Sequence, residues 1–146
     1  MKKQVLSIVA TLGLLLTLAI AGSAIAAVRL RANIPFDFTV GKDKLPAGQY
    51  TVDGTIVQGH LLISAKDRSK SVFTSVFGGQ SSRKPSQAKL IFHRYGNQYF
   101  LSQVWDEGGT EAMQLPESRA ERELTRQSKH LARNKVEPET VIVLAQ

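Results

Sequence analysis

The 146-residue chain has no cysteine. Disulfides, thiolate metal sites and a thiol nucleophile are therefore excluded, and stability must come from burial and hydrogen bonding alone. Acidic residues are also few: 12 Asp and Glu stand against 19 Lys and Arg, a net charge of +7. That excess favours contact with anionic surfaces without saying which. The nucleophile-elbow pattern G-x-S-x-G, the zinc pattern H-E-x-x-H, a phosphate-cradling G-x-x-x-x-G-K-[ST] and a carboxylate-rich calcium loop are all missing. His60, His93 and His130 lie far apart, so a zinc site would need the fold to gather them. No cofactor and no metal are expected. The enzyme class left in reach is a hydrolase with scattered carboxylates or a histidine, for which Asp37, Asp53 and His93 are the candidates.

At the N-terminus, Lys2 and Lys3 precede an uncharged run from Gln4 to Val28, most apolar between Val5 and Ile20. The run ends in "AGSAIAA", where Ala24 and Ala26 provide the small-residue A-x-A spacing that a signal peptidase pocket admits. Residues 1–26 read as a secretory signal, with an uncleaved membrane anchor as the alternative. Cleavage after Ala26 would leave one domain, 27–146, with 17 basic residues against 12 acidic and a net charge of +5. A chain of that length can bury a core without staples. The expected location is the periplasm or the extracellular space, with no transmembrane segment left after cleavage.

The remaining pattern is one of short strands broken by turn residues. In "ANIPFDFTV", Ile34, Phe36, Phe38 and Val40 alternate with Pro35, Asp37 and Thr39, which predicts a strand with one buried face. Pro35 lacks an N–H and points to an edge or a strand start, open to pairing with another chain. Pro46 and Gly48 mark a turn. "YTVDGTIV" fits either a strand bulged at Gly54 or a hairpin through Asp53 and Gly54. "LLISA" and "SVFTSVF" read as two more strands, and Gly78 to Gln87 as a loop.

"AKLIFHRYGNQYFLSQVW", residues 88–105, holds the single tryptophan, two tyrosines, a histidine and an arginine. Gly96 and Asn97 between β-rich segments predict a tight hairpin with Tyr95 facing Gln98. One face then carries Leu90, Phe92, Arg94, Tyr99, Leu101 and Trp105, the other Ile91, His93, Tyr95, Phe100 and Val104. Both faces are largely apolar, so these are central strands of an antiparallel β-sandwich or small barrel. Core packing is the plain reading of the aromatics. A glycan or small-ligand platform built from Tyr95, Tyr99 and Trp105 is the sharper alternative.

From Pro116 the chain changes character. Ser118 and Glu121 have capping-box spacing, and good helix formers follow, predicting a helix over about 116–134. Ala120, Leu124 and Leu131 form a thin apolar stripe, and Arg119 and Glu123 are placed to pair across one turn. Between Ser118 and Lys135 six basic residues face only Glu121 and Glu123. Arg119, Arg122, Arg126, Lys129 and Arg133 are the candidate contacts to an anionic surface. "TVIVLAQ" predicts a last strand at about 140–145, buried in the sheet.

Three blocks, "ANIPFDFTVGKDKLPAGQYTV", "LIFHRYGNQYFLSQVW" and "ESRAERELTR", together resemble a group of small exported bacterial proteins without an assigned activity. The resemblance runs from Ala32 to about Arg126 and implies an exported, β-rich single domain. It transfers no ligand or catalytic residue. The functional expectation is a non-enzymatic binding module whose partners are anionic envelope polymers or an envelope protein. No aromatic-lined groove or recognition helix points to nucleic acid.

Overall fold

The computed structural model describes residues 29–54, 58–80, 85–131 and 137–146, without the side chains of 80 and 129–131. The predicted signal segment, residues 1–26, lies outside the described residues, as does Arg133. Among the described residues no helix is long and apolar enough to cross a membrane.

Two sheets face each other across one apolar core. The first contains β1 (Arg29–Ile34), β4 (Gly48–Asp53), β5 (His60–Ala65) and β6 (Ser71–Ser75), in the order β1-β4-β5-β6. The second runs β11-β8-β9-β10-β7, built from β7 (Phe77–Gln80), β8 (Lys89–Tyr95), β9 (Gln98–Trp105), β10 (Glu111–Gln114) and β11 (Glu139–Leu144). The short β2 (Phe38–Val40) and β3 (Asp43–Leu45) join it, with β2 parallel to β9 at Thr39 and Phe100. Every other pairing is antiparallel. The sheets do not close into a barrel. They meet at one side, where Ala32 bridges Ala145 and Arg31 and Gln146 exchange main-chain hydrogen bonds of 2.7 and 2.9 Å. At the other side only Val76 separates β6 of one sheet from β7 of the other.

The alternation read in "ANIPFDFTV" describes burial correctly but spans two strands. Ile34, Phe38 and Val40 are all buried. Pro35 ends β1, however, and the chain crosses to the second sheet before β2 begins. The β1 edge is not free, because Ala145 and Gln146 cover part of it. At the other end of each sheet, β6 and β7 are outermost, with Phe73 and Phe77 53% and 59% exposed. "SVFTSVF" is thus broken at Val76, and the predicted loop at Gly78 starts as strand, since Gly78 and Gly79 pair with Met113 and Ala112. β4 ends at Asp53 and the turn before β5 comes at Gly59, so the hairpin through Asp53 and Gly54 does not form.

The predicted β8–β9 hairpin forms with Tyr95 opposite Gln98. Gly96 takes φ 61° while Asn97 stays out of the left-handed region, the type II′ pattern that suits the twist of a two-residue hairpin. Six residues on, the pairing slips: Phe92 faces Leu101 but Ile91 faces Gln103. Ser102 is the extra residue of a β-bulge, and its carbonyl accepts the Leu115 N–H at 2.8 Å. One extra residue turns all that follows to the opposite face. Val104 therefore joins Leu90 in the core, and Trp105 moves to the outer face of the second sheet, the reverse of the predicted assignment.

The turn between β5 and β6 contains a strained residue. Arg68 has φ 59°, the one non-glycine residue in the left-handed region among the described residues. That conformation costs about 1–2 kcal/mol for a residue with a Cβ. Asp67 supports the turn by accepting hydrogen bonds at Oδ1 from the Ser69 N–H (3.0 Å) and hydroxyl (2.7 Å). These bonds hold the Asp67 carboxyl below its ordinary pKa.

β11 sits where the last strand was predicted, yet it is outermost in its sheet and buried on one side only. Val141 and Val143 pack on the core, while Ile142 and Leu144 are 53% and 58% exposed.

Candidate binding surfaces of the helix and the second sheet

The helix α1 (Arg119–Leu131) starts where the capping signal placed it. The Ser118 hydroxyl accepts the Glu121 N–H at 3.0 Å, and the Ser118 carbonyl accepts the Arg122 N–H at 3.0 Å. Ser118 is itself buried, so water cannot replace it. Ser118→Ala is expected to cost about 1 kcal/mol in a urea-denaturation measurement; a neutral substitution would mean the cap does not hold the helix.

The face turned to the sheet keeps only Leu124 of the predicted apolar stripe, the Leu131 side chain lying outside the described residues. Ala120 is exposed, and the covered positions are Glu121, Leu124, Thr125 and Ser128, at helical spacing. Three of these four are polar because the opposing strand is polar as well. Glu121, only 3% exposed, accepts a hydrogen bond at Oε1 from His93 Nδ1 at 2.8 Å. One turn later the Thr125 hydroxyl lies 3.0 Å from the Glu121 carbonyl and 3.2 Å from the Tyr95 hydroxyl. When Thr125 donates its single hydrogen to that carbonyl, it accepts from Tyr95. Burial raises the Tyr95 pKa above the ordinary phenol value, reinforced by the negative charges of Glu121 and Glu117. Phe100, cross-strand from His93 and edge-on to Tyr95 at 5.9 Å, is buried on this same outer face. His93 and Tyr95 thus act as two latches that tie the helix to the hairpin.

An imidazole held by a buried carboxylate is half of a general-base arrangement. The carboxylate partner is 28 residues away in sequence, so no local motif announces it. The other hydrolase candidates are engaged elsewhere. Asp53 pairs with Arg29 at 2.8 Å, and Asp37 Oδ1 accepts the Ala47 N–H at 3.0 Å. Among the described residues no three His, Asp or Glu side chains gather as a metal site.

Tyr95, Tyr99 and Trp105 do not share a surface. Tyr95 lies beside the helix. Tyr99 faces inward and stacks on Phe36, centroids 3.9 Å apart. Trp105 is at the far end of β9 on the outer face, with the Lys89 ammonium 5.7 Å from its ring and its Nε1–H donated to Gln103 Oε1 at 2.9 Å. Tyr99 is on the opposite face of the sheet from the other two, and Tyr95 and Trp105 stand at opposite ends of the hairpin.

The helix arginines, in contrast, do come together. Arg119, Arg122 and Arg126 are all exposed, three and four residues apart along one face, away from the latched side. The predicted Arg119–Glu123 pair is not formed; Glu123 accepts instead from Gln127 Nε2 at 3.3 Å. Arg122 donates to the Glu117 carbonyl at 2.8 Å, and none of the three pairs with a carboxylate among the described residues. Lys129 continues the same spacing within the helix. Compared with known proteins, the chain matches no family model, no curated protein and no solved structure.

Proposed function

We propose that the protein is an exported, non-enzymatic binding module whose basic helix face docks on anionic polymers of the cell envelope or extracellular space. The observation that carries this reading is the division of charge around α1. Glu121 turns inward to His93, while Arg119, Arg122 and Arg126 are exposed and unpaired with acids among the described residues. The outward face is thereby left more basic than the helix as a whole.

Steps of three and four residues set the Cα atoms of the three arginines about 4.5 and 6 Å apart along the helix axis. Such a ladder can follow a polymer that repeats its negative charges. Each exposed contact is weak in water and screened by salt, so affinity comes from several contacts made together. The engagement of Asp37 and Asp53 in structural bonds supports the non-enzymatic side of the reading.

The test is binding of the full chain to a polyol-phosphate polymer against a neutral dextran, with the triple variant Arg119→Glu, Arg122→Glu, Arg126→Glu. Acids at Arg119 and Arg122 lie in the first turns of the helix, where its dipole favours them, so the variant retains its fold. Binding at least tenfold weaker than wild type is expected. Equal binding would overturn the reading.

A further inference from the structure

The outer face of the four-stranded sheet carries a second basic feature, independent of the helix. A half-open groove of about 720 Å³ lies over β1, β4 and β5. That volume falls in the range of small-molecule sites. Arg31, Lys66 and Arg68 line it, and among the described residues no Asp or Glu does. None of the three cations forms an ion pair among the described residues. Asp67, between two of them in sequence, is bound to Ser69 and lines the neighbouring depression instead.

The floor is assembled by strand register. Arg31 pairs with Thr51 and Thr51 with Ser64, which sets one row across the three strands. Asn33 pairs with Gln49 in the next row, and the Lys66 N–H donates to the Gln49 carbonyl at 2.9 Å. Outward positions of a strand alternate, so these amide and hydroxyl side chains point into the groove together. At one end Gln146 holds the Arg31 main chain through two hydrogen bonds, fixing the strand that bears the first cation. At the other, Arg68 occupies the left-handed conformation that a glycine would enter without strain.

We propose that this groove binds a phosphomonoester of a sugar or polyol. Three cations lining one groove exceed what one carboxylate balances, whereas a phosphomonoester brings close to two negative charges and three strong acceptor oxygens. The amide and hydroxyl floor offers both donors and acceptors to the hydroxyl groups of the ligand.

The test is amide chemical-shift mapping of the full chain titrated with glucose 6-phosphate, glucose and glucuronate at matched ionic strength. Glucose 6-phosphate is expected to give saturable shifts at residues 31–33, 49–51 and 64–68, with glucose and glucuronate each at least tenfold weaker. Arg31→Ala and Arg68→Gly are each expected to weaken binding about tenfold. Arg68→Gly also relieves the backbone, so its melting temperature should rise by about 3 °C, which separates lost binding from lost folding. The helix triple variant should bind glucose 6-phosphate as wild type does, so this site and the helix surface stand or fall separately. Absence of saturable shifts, shifts mapping elsewhere, or undiminished binding by both groove variants would overturn the site. Equal affinity for glucuronate would overturn the phosphate assignment.

Discussion

Phe92→Ala is expected to destabilise the domain by about 3–5 kcal/mol, the usual range for deleting a fully buried phenyl group. Phe92 has no exposed surface and stands in the middle of β8. Phe36 and Phe38 meet its ring edge-on at 5.2 and 5.5 Å. Phe36 lies in the crossing from the first sheet to the second and Phe38 opens β2, so Phe92 ties the end of that crossing to the central hairpin. Phe73→Ala, on the outermost β6 and half exposed, should cost less than about 1 kcal/mol. Urea midpoints at constant slope measure both. Equal losses would mean that the shared core does not pass through Phe92.

The neighbouring residue tests the opposite face. His93→Ala leaves the Glu121 carboxylate buried without its partner, and should cost about 2–4 kcal/mol. Since the pair ties α1 to the sheet, helical circular dichroism should decrease along with stability. Replacing both partners, His93→Phe with Glu121→Leu, removes the stranded charge and should recover more than half of the loss. A double-mutant cycle reads the coupling directly. If the two substitutions simply add, the helix is held by something other than this pair.

Much of this architecture was written in local patterns. Gly96 and Asn97 fixed the hairpin and the Tyr95–Gln98 pairing, and Ser118 fixed the helix start. Alternation from Ile34 to Val40 marked the right residues as core. What failed to show was what depends on residues distant in sequence. The Ser102 bulge is a property of how β9 pairs, and "FLSQVW" contains no glycine to mark it; Val104 and Trp105 were therefore assigned to each other's faces. The polar inner face of α1 makes sense only beside His93 and Tyr95, about thirty residues away. For the same reason Ala120 reads as apolar stripe in the sequence yet is exposed in the fold.

The two basic surfaces differ in the same way. Arg119, Arg122 and Arg126 were legible as candidates because helical spacing alone puts them on one face. Arg31, Lys66 and Arg68 were not, because strand order and register bring β1 to the turn after β5. In sequence "KDRSK" reads only as a polar connection between strands.

Co-sedimentation of the full chain with isolated cell envelopes, at low and at high salt, tests the central claim most directly. The account predicts sedimentation at low salt that high salt abolishes, and its loss at low salt in the Arg119→Glu, Arg122→Glu, Arg126→Glu variant. Sedimentation that resists salt and survives charge reversal, or none at either salt, would contradict it.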